Sequence, residues 1–110
     1  MTGRGGAVVL ALGFLVTACG PITSQTSIID ARDVLTEARR QGADTFAPYE
    51  YTKASLYLRK AKELQGHADY QQSDIFAQRS RGMAQEAIKV TAANKDKYEK
   101  LNRARQKGGK

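Results

Sequence analysis

Apolar positions along this chain recur in three stretches with the spacing of a helix face. Ile28, Val34, Leu35 and Ala38 come first, after Ser27 as a candidate N-cap with Asp30 in the first turn, and Gly42 supplies a stop. Ala47-Pro48 opens a second segment, because proline fits the first helical turn, where its missing N–H costs nothing. Tyr51, Ala54, Leu58 and Ala61 follow at 3-4-3 spacing, widened by Tyr57 and Leu64. The run Gly66-His67-Ala68-Asp69 breaks the stripe and leaves Asp69 as the next cap. The third segment is the longest. Ser73, Ala77, Ser80, Ala84, Ala87 and Thr91 alternate strictly by three and four, flanked by Phe76, Met83 and Ile88. Every position on that stripe is small, so it predicts a helix face that a neighbour approaches closely. The rhythm carries on through Tyr98 and Leu101 into the last residues. The expected fold is all-α, a short first helix followed by a long antiparallel helical hairpin. Its contact face is expected to include Ala54, Leu58, Ala61, Ala77, Ala84 and Ala87.

A different pattern precedes these helices. Met1 to Gly6 carry one charge, Arg4, and Ala7 to Val16 are uncharged and apolar. That run matches a signal-peptide core and is too short to span a bilayer. Val16, Thr17 and Ala18 then lead into Cys19, the one cysteine of the chain. A single cysteine forms no internal disulfide, and its position directly after the small pair asks for another role. The four residues resemble the bacterial lipobox, which implies acylation of Cys19 and cleavage just before it. Gly20, rather than Asp, follows the cysteine, and by the same resemblance the outer membrane is the expected address. Residues 1–18 are thus expected to be a lipoprotein signal peptide. Gly20 to Ser27, "GPITSQTS", read as a flexible tether covering residues 19–27, with the helical domain at 28–94.

Charge changes the picture at the other end. The chain carries 18 Lys and Arg against 11 Asp and Glu, a formal +7. Residues 95–110 hold seven of those cations, Lys95, Lys97, Lys100, Arg103, Arg105, Lys107 and Lys110, against Asp96 and Glu99. Such a tail reads as a contact for a polyanion, and it continues the last helix or frays from it. For an exported lipoprotein the expected partners are an anionic cell-wall polymer such as peptidoglycan, lipopolysaccharide phosphates or an acidic protein. Nucleic acid is not expected. Membrane contact is expected through the lipid, and self-association is an alternative use of the small-residue face.

Little else in the chain carries chemistry. His67 is the one histidine, so a histidine metal site cannot be assembled within one chain, and no cofactor, metal or catalytic residue is expected. The carboxylates Glu37, Glu63 and Glu86 each have Lys or Arg nearby, the composition of a solvated helix face.

The stretch "EARRQGADTFAPYEYTKASLYLRKAKEL", with the later "ADYQQSDIFAQRSRGMAQEA", resembles a domain of unknown function found in small Ala-rich bacterial lipoproteins. That domain also occurs ahead of OmpA-like peptidoglycan-binding domains. The residues carrying the likeness are Ala38, Gly42-Ala43, Ala47-Pro48, Ala54, Leu58, Ala61, Tyr70, Ala77 and Ala84, within residues 28–94. Ser73 departs from the pattern, which more often shows Ala there. A weaker likeness, through Ala54, Leu58, Tyr70 and Ala77, is to a tetratricopeptide-like hairpin and implies three-helix packing of that kind. The reading is a lipid-anchored protein of the periplasmic face of the outer membrane, with a structural or interaction role and no enzymatic one. The alternatives are a tetratricopeptide-like adaptor for peptides and an accessory subunit of an envelope enzyme.

Overall fold

Capping chemistry sets most of the helix boundaries. A computed structural model describes residues 19–109, which form helices α1 (Cys19–Arg40), α2 (Ala43–Phe46), α3 (Pro48–Gly66) and α4 (Tyr70–Gly108), with no strand among the described residues. The expected leader, with Val16, Thr17 and Ala18, lies outside the described residues, as does Lys110. Gly42 ends the first helical run in the left-handed conformation, φ 95°, which glycine adopts without a Cβ penalty. Pro48 occupies the first turn of α3. The N–H groups of His67, Ala68 and Asp69 return to the carbonyls of Glu63, Gln65 and Leu64 and close that helix. Asp69 then caps α4, its carboxylate accepting from the Gln72 N–H at 3.3 Å.

The start of α1 departs from the expectation. Residues 20–27, read above as an extended tether, are helical, and Ser27 sits inside the helix rather than at its cap. Pro21 falls in the first turn, where proline is tolerated, so nothing local forbids the extension. The hydroxyls along it find partners on α4. Ser24 donates to the Ser73 hydroxyl at 2.8 Å, and Ser27 donates to the Asp74 carboxylate. These bonds join residues 49 and 47 positions apart, which local composition does not reveal. The first helix therefore has 22 residues and is not short.

Hydrogen bonds give the direction of each helix. Ser73 Oγ donates to the Ala61 carbonyl and Ser80 Oγ to the Ala54 carbonyl, both at 2.7 Å, so α3 and α4 run antiparallel. Ser24 beside Ser73, and Asp30 beside Arg81, run α1 parallel to α4. The core divides into two small clusters along this arrangement. One gathers Ile28, Ala31, Leu58, Ala61 and Ala77, with Leu35 and Phe76 at its edge. The other gathers Ala38, Ala43, Ala47 and Ala87, backed by Tyr51, Ile88 and Val90.

All six positions of the α4 stripe, Ser73, Ala77, Ser80, Ala84, Ala87 and Thr91, are buried. An alanine methyl removes little apolar area, roughly 0.8 kcal/mol per carbon, against about 1.5–3 kcal/mol for a whole leucine side chain. Close approach adds a second term, because it brings serine hydroxyls within reach of the facing backbone. Each such bond contributes about 0.5–1.5 kcal/mol net. The departure at Ser73 is thus a cross-helix link, accepting from α1 and donating to α3 at once.

Surface charges contribute less. The Arg81–Asp30 pair between α4 and α1 is 3.8 Å apart with both side chains half-exposed, worth about 1 kcal/mol at most. At the end of α1, hydrogen bonds from Arg40 and Gln41 hold the Glu37 carboxyl down to a pKa of about 2. That local cluster therefore stays paired through ordinary acid conditions and is lost as pH falls through about 2.

Two substitutions test this packing. Ala84→Leu forces three carbons into a fully buried position and should lower stability by ~1–3 kcal/mol, while Gln85→Leu on the exposed face should be almost neutral. Equal melting of the two variants in circular dichroism would refute the assigned face. Gly82 lies mid-helix, and a Cβ there would meet nothing within 4 Å. Gly82→Ala should accordingly raise stability by ~0.4–1 kcal/mol, read as a higher chemical-denaturation midpoint with unchanged slope.

Candidate anion-binding site

Residues 95–108 continue α4 without a break. Lys, Glu, Leu, Arg, Ala and Gln dominate them and are strong helix formers. Two acid-before-base pairs brace the exposed turns, Asp96 with Lys100 at 3.0 Å and Glu99 with Arg103 at 3.9 Å, both four residues apart. Arg105 and Lys107 lie in the last turn, where the helix dipole favours cations. The Gly109 N–H closes the end on the Arg105 carbonyl.

The two acids occupy only part of the positive charge. Lys97, Arg105 and Lys107 have no carboxylate partner among the described residues. Lys95 holds its ammonium 5.6 Å from the centre of the Phe46 ring rather than against an acid. All six described cations, Lys95, Lys97, Lys100, Arg103, Arg105 and Lys107, are exposed on one helical rod. That arrangement can neutralise a polyanion by ion pairing and counterion exchange.

The base of the rod is clamped. Asn94 Nδ2 donates to the Phe46 carbonyl at 2.7 Å, and the Phe46 and Tyr98 rings meet edge to face at 6.2 Å. Phe46 belongs to α2, the single turn between Gly42 and Ala47. A shallow groove opens there, lined by Phe46, Lys95, Tyr98, Asn102, Arg103 and Gln106, with Glu99 also on its wall. The sequence reading missed Phe46 and Asn94. A signal existed, because Asn94 falls three residues after Thr91 on the buried stripe, and an amide there needs an acceptor.

The other expected residues lie elsewhere. Ala54, Leu58 and Ala61 of α3, with Ala77, Ala84 and Ala87 of α4, form the buried scaffold and not the basic end. Cys19 opens α1. Because α1 runs parallel to α4, Cys19 lies near the start of α4 and the basic turns lie at its far end. A 39-residue helix is about 58 Å long, so the two features are separated by most of the molecule. His67 is exposed in the turn before Asp69. Among the described residues no group of three or more His, Cys, Asp or Glu is placed to hold a metal. No helix among them is long and apolar enough to cross a membrane.

No curated protein and no solved structure matches the chain. One family does, described as Domain of unknown function (DUF4398), over residues 26–103. The match takes in α1 from Thr26, all of α2 and α3, and α4 as far as Arg103. It passes residue 94, so the first turns of the basic rod belong to the domain and are not an appendage to it. With most of its length inside that match, the chain belongs to the DUF4398 family.

Proposed function

We propose that this protein is a bacterial envelope lipoprotein, anchored through an acylated Cys19 to the periplasmic face of the outer membrane. Its role is structural, holding a basic helical end away from the lipid to contact an anionic wall polymer or an acidic partner. One observation carries the reading: Cys19 and the basic turns stand at opposite ends of one unbroken 39-residue helix and the helix parallel to it. The lipobox-like Val16-Thr17-Ala18-Cys19 supplies the anchor in this account. A triacylated cysteine holds stably without a spanning helix. With α1 beginning at Cys19, the lipid would attach to the folded rod directly rather than through a tether.

The α3–α4 pair is read as a tetratricopeptide-like hairpin, a view supported by its antiparallel serine links. In such repeats a ligand peptide takes the concave groove. Here Ile28 and Ala31 of α1 pack with Leu58, Ala61 and Ala77, so α1 covers this part of the hairpin as the chain's own core. This favours the structural role over a peptide adaptor.

Two experiments test the proposal. Cys19→Ser should abolish labelling by a fatty-acid probe and release the protein from the membrane fraction or leave it uncut. Unlabelled wild type with unchanged fractionation would remove the anchor. For the basic end, sacculi are incubated with protein carrying or lacking residues 95–110 across a salt series. Retention of the full-length form should fall steeply with salt, since exposed charges are screened over about 8 Å at physiological strength, and the shortened form should bind weakly throughout. Equal retention of both forms at every salt concentration would reduce the rod to a solubility device.

A further inference from the structure

We infer that the free end of α4 is a docking seam for an acidic amphipathic helix of another protein. The inference rests on the reading that this end takes anionic partners, and it names which kind.

The seam that α1 and α3 cover does not stop where they stop. After the buried Thr91 and the half-buried Asn94, the same 3-4 spacing brings Tyr98 and Leu101 onto that face. Tyr98 is 57% exposed and Leu101 64%. Helix α1 ends at Arg40 and α3 begins at Pro48, so beyond the one turn of α2 no described element lies beside the last turns of α4. A helix with no further contact would carry polar side chains at those positions. Instead Leu101 and Ala104 line a shallow, mostly apolar groove together with Lys97 and Lys100. Apolar anchors flanked by lysines are the pattern of a basic amphipathic helix that receives a partner.

Charge selects the partner. A second copy would set the same unpaired cations against each other. Residues 1–18 contain no Asp or Glu, so that segment of the chain offers no complement. A wall polymer supplies negative charge but no side chains to cover Leu101. A lipid surface satisfies both demands, yet in the anchored protein the membrane lies at the Cys19 end. An acidic helix with apolar residues at i, i+3 and i+7 supplies charge and cover together. Residues 95–108 give it about 20 Å of helix, roughly four turns, with the anchors Tyr98, Leu101 and Ala104 along about 9 Å of it.

The test uses the full-length protein in detergent and a labelled 18-residue peptide bearing leucine at alternating three- and four-residue spacing and glutamate elsewhere. Polyglutamate of equal charge is the comparator, and fluorescence anisotropy is the readout. The peptide should bind more tightly than polyglutamate. Leu101→Ser should cut peptide affinity roughly tenfold or more and leave polyglutamate unchanged. The double variant Lys97→Gln/Arg105→Gln should weaken both ligands. Leu101 is exposed, and an unchanged thermal melt shows that the variant folds. Equal binding of peptide and polyglutamate, or peptide binding indifferent to Leu101→Ser, overturns the seam while the ionic reading stands. Indifference of both ligands to the charge variant overturns the ionic reading as well. Self-association in sedimentation that disappears in Leu101→Ser assigns the seam to a second copy. Binding to anionic vesicles that needs Leu101, without peptide binding, assigns it to lipid. Either outcome overturns the inference.

Discussion

Close approach of α4 to its neighbours is the constraint on which everything else rests. The face from Ser73 to Thr91 carries no side chain larger than threonine, so neither α1 nor α3 is held off by bulk. Larger residues, Ile28 and Leu58, come from the opposing helices and fill the space that the small face leaves. Serine does two things in such a seam. It is small enough to permit contact, and its hydroxyl reaches a backbone carbonyl across it, as Ser73 and Ser80 both do. Exchange of either for a larger residue would cost the contact and the bond together.

That seam also explains how so long a helix is supported. Helix α3 has 19 residues and α1 has 22, whereas α4 has 39. The shorter helices and α2 brace its first part, and the Asn94–Phe46 bond with the Phe46–Tyr98 contact marks where the bracing ends. Beyond it the rod depends on local terms alone: good helix formers, two acid-base pairs and cations at the negative end of the dipole. These terms are individually small, and isolated helices of this length are marginal. Connection to a braced helix removes the nucleation cost, which is why the basic residues continue as helix.

The two ends of the rod differ in composition. Cys19 opens α1 at one end, the cations cluster at the other, and the buried residues between them are mostly alanine and serine, with Ile28, Leu58 and Thr91. The DUF4398 match covers most of the rod and extends as far as Arg103, so the first of the basic turns lie within the domain.

How much of this was legible in the chain follows from the range of each interaction. The helical class, the stop at Gly42, the proline start at Pro48, the Asp69 cap and the buried stripe from Ser73 to Thr91 all express local chemistry or period, which a sequence displays directly. The clustering of cations after Asn94 was visible in the same way. Tertiary structure alone decided three matters. Residues 20–27 became helix because Ser24 and Ser27 met partners on α4 47 to 49 positions away. Phe46 became the clamp of the basic rod because a one-turn helix carried it to Asn94 and Tyr98. Finally, Cys19 and the cations were set at opposite ends because α1 packs parallel to α4. No periodicity encodes that direction; the contacts of the folded chain choose it.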